Sequence, residues 1–334
     1  MIVGVIGGGQ LGRMLALAGI PLGLSFRFLD PSPDAPAREV GDLLVGAYDD
    51  PELLDRLADG AAAVTYEFEN VPVEAAKRVG ALPDAAALDA AQDRLVEKQL
   101  FRRLGIPTAR IDEEVTSFPA ILKTRRLGYD GKGQRLVETW LGSDPGHVLE
   151  ERVPFDRELS LLAVRGRDGD TRFYPLVENV HADGILRTSR TPAAGAPQEQ
   201  AEELATKLLD DLGYVGVLAL ELFDVGGRLL ANELAPRVHN TGHWTIEGAA
   251  TSQFENHLRA ILGFPLGSTA AQPSFMVNLI GTTPPAEDVL AIPGAHLHLY
   301  AKEPRPGRKL GHVTLIDPTP GRERALENLV AQSN

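Results

Sequence analysis

Residues Ile2–Ile6 form a short β-branched run that enters Gly7-Gly8-Gly9-Gln10-Leu11-Gly12 and then a helical stretch from Arg13 to about Ala18. A strand, a glycine turn and a helix in that order leave few continuations. They open a Rossmann-like βαβ unit, in which helices cover a parallel sheet. The next segments agree. Ser25–Leu29 reads as a second strand closing on Asp30, and Pro31, Pro33 and Pro36 keep the following loop out of helix. Asp49-Asp50-Pro51 starts a helix, and Ala61–Tyr66 reads as a buried strand ending in Glu67-Phe68-Glu69-Asn70. Alanine-rich Ala81–Ala91 and a charged helix, Asp93–Leu104, stopped by Gly105 and Pro107, mark the end of this first domain.

Gly7, Gly9 and Gly12 satisfy G-x-G-x-x-G, and Asp30 stands where a dinucleotide-binding fold puts its ribose acid. Alone, this predicts NAD. Yet small residues are needed in such a turn for geometry, and a helix N-terminus serves a substrate phosphate equally well.

Beyond the boundary, strands Ala120–Lys123 and Gln134–Thr139 flank a loop, Thr124 to Gly133, that holds Gly128, Gly131, Gly133, Arg125, Arg126 and Lys132. Glycines let backbone N–H groups approach phosphate oxygens, and a lysine on a strand neutralises them. The bland alternative is a surface hairpin; the density of glycine and basic residues favours phosphate. His147–Val153 and Leu159–Val164 read as strands, with Glu150 and Glu158 near their ends as acceptors for ribose hydroxyls. Glu199–Leu212 is a helix with Leu204, Leu208 and Leu212 on one face.

Glu221 and Glu233 lie inside apolar strands, Val215–Phe223 and Arg228–Leu234. With a turn over Gly226–Arg228, residue 225 opposes 229 and 221 opposes 233, placing the carboxylates on one face with Cβ atoms about 5 Å apart. Like charges that close repel unless a cation joins them, and oxygen ligands with Asn232 beside them suit Mg²⁺ carried by nucleotide phosphates. A solvent-facing pair is the alternative, and the flanking leucines speak against it.

Arg237, His239, Asn240 and His243 crowd the next loop; Lys302, Arg305, Arg308 and Lys309 crowd a later one, opposed only by Glu303. The chain as a whole carries a net charge of −13, which excludes a nucleic-acid coating role. Local positive clusters in an acidic chain point to a small anionic substrate, against the plain alternative of a solvated turn. His296 and His298 alternate on a strand and read as structural. There is no cysteine, so disulfides, thiolate catalysis and Cys-held metals are excluded. No apolar run reaches membrane-spanning length, and no signal peptide is evident, so a cytoplasmic location is expected.

The ordered set resembles the ATP-grasp superfamily in its carboxylate–amine ligase branch. Gly-Gly-Gln-Leu-Gly-Arg at 8–13, Tyr-Glu-Phe-Glu-Asn-Val at 66–71, Gln-Asp-Arg at 92–94, Glu-Lys-Gln at 97–99, Gly-Tyr-Asp-Gly-Lys-Gly-Gln at 128–134 and Asp-Gly-Ile-Leu-Arg-Thr-Ser at 183–189 resemble the N5-carboxyaminoimidazole ribonucleotide synthetase family. So do Asn-Glu-Leu-Ala-Pro-Arg-Val-His-Asn-Thr-Gly-His-Trp at 232–244 and Arg-Pro-Gly-Arg-Lys-Leu-Gly-His at 305–312. One departure is Leu127, where glycine is expected.

The resemblance implies a mixed α/β and α+β ATP-grasp architecture: a Rossmann-like pre-ATP-grasp domain at 1–90, a helical linker at 91–116, a lid at 117–180 and a C-terminal domain at 181–334. It implies carboxylation of 5-aminoimidazole ribonucleotide by bicarbonate and ATP through carboxyphosphate, in a cytoplasmic homodimer with no nucleic-acid or membrane partner. ATP would meet Arg94, Lys123, Gly128, Tyr129, Asp130, Gly131, Lys132, Gly133, Gln134, Glu150, Val153, Glu158, His181, Asn232 and Glu233. Glu221 and Glu233 would hold Mg²⁺, expected as two ions. Glu69, Arg237, His239, Lys302, Arg308 and Lys309 would face the ribonucleotide, with Arg237, His239 and Lys123 as catalytic residues and His239 a candidate base. The competing expectations are a formate-dependent glycinamide ribonucleotide transformylase, an NAD-dependent oxidoreductase, and an inactive nucleotide-binding or dimerisation module.

Overall fold

A computed structural model describes residues 1–128, 132–139, 142 and 144–333. The opening βαβ pattern forms as expected: β1 (Ile2–Ile6), α1 (Gln10–Gly19), β2 (Ser25–Asp30), β3 (Asp42–Val45), α2 (Pro51–Ala58) and β4 (Ala61–Tyr66). The strands lie in the order β3-β2-β1-β4, all parallel. Asp50 caps α2 by accepting from the Glu52 and Leu53 N–H groups, with Pro51 at the first helical position. Three short helices follow, α3 (Val73–Arg78), α4 (Ala85–Gln92) and α5 (Arg94–Arg103).

A three-stranded antiparallel sheet comes next, β5 (Ala120–Thr124), β6 (Gln134–Val137) and β7 (His147–Glu150), in the order β6-β5-β7. The remaining strands are β8 (Arg157–Arg165), β9 (Thr171–Phe173), β10 (Val177–Ala182) and β11 (Ile185–Thr191); after α6 (Gln198–Asp211) come β12 (Gly216–Val225) and β13 (Arg228–Ala235). Then follow α7 (Thr245–Gly248), α8 (Gln253–Leu262), β14 (Ser274–Ile280), α9 (Ala286–Leu290), β15 (Ala295–Leu299), β16 (Lys309–Ile316) and α10 (Pro320–Ser333). They build a nine-stranded sheet, β13-β12-β8-β10-β11-β14-β16-β15, with β9 beside β8.

Hydrogen bonding thus separates the small sheet at Glu150, whereas the expected lid runs to residue 180. The reason lies in β8: Leu159–Val164 is buried throughout, the signature of a central strand, and it pairs with β12 on one side and β10 on the other.

The parallel sheet is fused to the large one. One apolar core runs from Val3, Val5, Met14 and Phe26 to Leu162, Val217, Phe254 and Leu258. α1 packs on α8 at Gly19, where a Cβ would strike Phe26 and Leu258. Thr65 Oγ1 bonds His257 Nε2 at 2.9 Å. The segment after β4, which carries Glu67 and Glu69, is held against the loop after β13 by the ion pair of Glu69 with Arg237.

Candidate active site

The glycine turn is already filled. Gly9 and Gly12 donate their N–H groups to the two oxygens of Glu67 at 2.6 and 2.8 Å, and Gly8 donates to Asp30 at 2.8 Å. Asp30 also accepts from Tyr48 Oη and Ser32 N. Gly7 adopts φ +104°, and a Cβ at Gly9 would strike the Glu67 carboxylate. The glycines serve a close approach of protein carboxylates, and the NAD expectation fails because the donors and the acid it needs are consumed internally. Burial raises the Glu67 carboxyl above its ordinary value, against the pull of the two N–H groups and Lys302.

Glu221 does oppose Glu233. The route differs from the expected one. Val225 pairs with Arg228 across a tighter turn, which shifts the hairpin by one, and an irregularity between Glu221 and Leu222 shifts it back, leaving Asn232 without a cross-strand partner. Burial and then the Glu233 charge raise the Glu221 carboxyl. Burial acts the same way on Glu233 but is outweighed by Arg94, whose Nη1 lies 2.7 Å from Glu233 Oε2, and by Lys123; the carboxyl ends well below its ordinary range. Asn232 Oδ1 is buried beside them without a hydrogen-bond partner. Among the described residues no set of three or more His, Asp or Glu side chains is gathered as a metal site.

Lys123, at the end of β5, donates to Glu150 Oε2 at 2.7 Å in a buried pair. Burial alone would raise the Glu150 carboxyl; Lys123 and Lys98 outweigh it and hold it at about 2. Glu150 Oε1 has no partner. Glu158 bonds His181 Nδ1 at 2.6 Å, and that carboxylate with Glu221 lifts His181 above its ordinary value against its burial. Arg125 and Arg126, counted among the phosphate-loop cations, are tied to Asp93, at 2.7 and 3.2 Å. Leu127 adopts φ +63°, the left-handed region that favours the glycine expected there. Gly128 lies near Thr124 Oγ1 and Arg94. Gly133 accepts from the Thr124 N–H through its carbonyl, and Gln134 pairs with Lys123. Tyr129, Asp130 and Gly131 lie outside the described residues. Val153 accepts from Phe155 N through its carbonyl, and the Phe155 ring stacks on Phe223 at 4.7 Å.

The two basic loops converge. Arg237 Nη2 meets Glu69 at 2.7 Å, and Glu69 also feels Glu233 and Arg94. His239 Nε2 stands 3.5 Å from Glu221, with Nδ1 on Thr241 Oγ1. Burial, then Arg237 and Lys309, push His239 well below its ordinary value, so it is neutral near pH 7. Lys302 bonds Gln10 of the glycine turn, linking the late loop to the first domain. Arg308 Nη1 donates to Glu303 O at 3.2 Å, and the Arg308 charge acts on Lys302. His298 bonds Glu247 and stacks on His312, whereas His296 is exposed.

Sequence reasoning named Glu97 and Lys98 only within a block of the family resemblance and gave these two buried charges no role. Glu97 and Lys98 occupy the apolar stripe of α5 with Leu100 and Phe101. A charge on the buried face of an amphipathic helix was the available signal.

Three family descriptions match consecutive parts of the chain: a ribonucleotide synthetase preATP-grasp domain over 1–92, an ATP-grasp domain over 108–254 and a phosphoribosylaminoimidazole carboxylase C-terminal domain over 274–326. The chain is similar to N5-carboxyaminoimidazole ribonucleotide synthase of Pseudomonas aeruginosa, 52% identical and covering 94% of each chain. Its fold is similar to the crystal structure of N5-carboxyaminoimidazole ribonucleotide synthetase from Thermus thermophilus, with TM-score 0.91 and 57% identity over 99% of this chain and 97% of that one. It is also similar to the Aspergillus clavatus synthase solved with ADP and 5-aminoimidazole ribonucleotide, with TM-score 0.89 and 32% identity over 99% and 98%.

Proposed function

The chain belongs to the N5-carboxyaminoimidazole ribonucleotide synthase family, and from that premise we propose how its residues divide the work. It is an ATP-grasp ligase that carboxylates 5-aminoimidazole ribonucleotide in purine biosynthesis at the expense of ATP. ATP lies between the 123–134 strands and the large sheet, against Arg94, Lys123, Gly128, Lys132, Gly133, Gln134, Glu150, Val153, Glu158, His181, Asn232 and Glu233, with Tyr129, Asp130 and Gly131 completing the loop. The ribonucleotide faces Glu69, Arg237, His239, Lys302, Arg308 and Lys309.

The observation that carries this division is the position of Glu233. It feels the charges of Arg94 and Lys123 at the nucleotide end and acts on Glu69, the partner of Arg237, at the ribonucleotide end. A γ-phosphoryl group over Glu221 and Glu233 would lie between the two substrates.

The donor set fits Mg²⁺: two opposed carboxylates, Glu221 raised by burial and by the charge of Glu233, and an unpartnered Asn232 Oδ1 beside them. Mg²⁺ bound there supplies charge neutralisation to the transferring phosphoryl group. Lys123 neutralises the phosphates and Arg237 holds the incoming anion. A bicarbonate oxygen bonds to the γ-phosphorus as the bond to ADP breaks, giving carboxyphosphate. The ribonucleotide amine then attacks its carboxyl carbon, inorganic phosphate leaves, and the amine proton passes to a base. His239, neutral and partly buried beside Glu221, is the candidate acceptor. A homodimer and a cytoplasmic location rest on the family resemblance; no described helix is long and apolar enough to cross a membrane.

ADP release measured with the ribonucleotide, with and without bicarbonate, tests the reading. Turnover that ignores bicarbonate overturns it, and turnover with formate and glycinamide ribonucleotide would move the chain to the transformylase chemistry.

Arg308→Ala is expected to raise KM for the ribonucleotide about tenfold to a hundredfold, the loss of one charge-assisted phosphate contact, and to leave KM for ATP within about twofold. An equal rise in both would put Arg308 elsewhere.

Lys302 gives a pH dependence. Burial, then Arg308, Lys309 and Arg305, against the pull of Glu67, hold its ammonium at about 8 instead of the ordinary 10.5. A phosphate needs the charged form, so KM for the ribonucleotide should be level below about pH 8 and climb above it. Lys302→Arg should remove the climb. Stability runs the other way: between 8 and 10.5 the unfolded chain binds the extra proton, so this residue's contribution rises with pH. A KM that stays flat from about pH 7 to about 9.5 would refute the assignment.

A further inference from the structure

β13 is an outer strand of the large sheet, with one edge not paired to another strand of it, and the irregularity leaves Asn232, next to Glu233, without a cross-strand partner. Backbone groups in such a place need partners from outside the sheet. They find them on α5. Arg94, Glu97 and Lys98, at helix spacing i, i+3 and i+4, share one face and meet three consecutive residues of β13. Arg94 holds the Glu233 carboxylate at 2.7 Å, Lys98 Nζ donates to the Asn232 carbonyl at 2.7 Å, and Glu97 Oε1 accepts from the Leu234 N–H at 2.6 Å. Lys98 and Glu97 are 1% and 2% exposed, so neither has solvent to hydrate it.

Lys98 has a second contact. Its Nζ lies 3.7 Å from Glu150 Oε2, the oxygen that Lys123 also takes. It therefore touches both Asn232 and Glu150, and each of these has a buried oxygen with no partner, Asn232 Oδ1 and Glu150 Oε1. A buried lysine and glutamate are costly merely to bond a strand edge, where apolar packing would serve. Here they grip the peptide groups on both sides of one functional carboxylate.

We propose that Glu97 and Lys98 are positioning residues that fix the Glu233 carboxylate through its neighbouring peptide groups, and that Lys98 also sets its distance from Glu150. This rests on the reading of Glu233 and Glu150 as ATP-facing groups. Neither residue touches a substrate; they act through β13. The clamp should govern the ATP end and leave the ribonucleotide end alone.

The test compares wild type with Lys98→Met, Glu97→Met and Glu97→Gln, the last keeping a side-chain oxygen for the Leu234 N–H. Binding of ADP with magnesium is read by calorimetry, without turnover, alongside both KM values and thermal melting. Lys98→Met is expected to weaken ADP and raise KM for ATP about tenfold, and to change KM for the ribonucleotide less than about twofold. Glu97→Gln should recover most of what Glu97→Met loses. A lowered melting temperature with ADP affinity and both KM values unchanged makes the pair purely structural and overturns the proposal, as does an equal rise in both KM values. If Lys98→Met does not fold, the two Glu97 variants decide: equal ADP affinity in both overturns the clamp. A wild type with no bicarbonate- and ribonucleotide-dependent ADP release would instead overturn the functional reading itself.

Discussion

Glu233→Ala is expected to lower kcat by about a thousandfold while the protein still folds and melts cooperatively. The two halves of this expectation have separate causes. Glu233 is half-buried on an outer strand, so its loss opens no cavity in the core. The variant leaves Arg94 without its closest partner but relieves the repulsion that, after burial, raises the Glu221 carboxyl. These opposing changes keep the stability effect near about 1 kcal/mol. Activity has no such compensation. On the proposed metal assignment, a lone Glu221 with Asn232 beside it would not hold a cation against the transferring phosphoryl group, and a free Arg94 would compete for the phosphate oxygens. Melting temperature and single-turnover ADP release together make the check. A kcat within about tenfold of wild type would remove Glu233 from the phosphoryl-transfer site.

The opposition of Glu221 and Glu233 was legible in the sequence, though by a count that the hairpin does not follow. A tighter turn moves each residue one place, and the irregularity at Asn232 restores the register. Turn residues announce themselves through glycine; a bulge in an apolar strand has no such mark. The glycine turn shows the same limit from the other side. Its geometry was readable from Gly7, Gly9 and Gly12, but its occupant was not, because Glu67 lies 55 and 58 residues from the N–H groups it accepts. Arg125 and Arg126 were readable as cations, yet Asp93, far away in sequence, claims both. Local chemistry therefore identified which residues can act. Which of them are already spoken for is decided by contacts between distant segments. The sheet to which β8 belongs was not legible for a related reason: a run apolar on both faces identifies a central strand, but not the sheet in which it is central.

The second large effect concerns the other end of the site. Lys123→Met should destabilise the protein by about 3 kcal/mol at pH 7 and lower kcat/KM for ATP by at least about a hundredfold. Glu150 and Lys123 are 3% and 8% exposed at their side chains, so removing one strands a charge in a place that cannot hydrate it. Lys98, at 3.7 Å, remains and limits the damage. The pH dependence gives the decisive sign. In the folded chain Glu150 titrates at about 2 instead of its ordinary 4.5, so its contribution to stability is fully present above 4.5 and disappears as pH falls to 2. In Lys123→Met the burial that raises this carboxyl is less opposed, so the contribution shrinks at neutral pH and there is less to lose in acid. Urea unfolding should accordingly place the two proteins well apart near pH 7 and closer together near pH 3. The same gap at both values would mean that Lys123 stabilises by packing alone. If KM for the ribonucleotide rose as much as that for ATP, Lys123 would not belong to the proposed nucleotide end, because its bonded side-chain partner among the described residues is Glu150, whereas Arg237 at the proposed ribonucleotide end bonds Glu69.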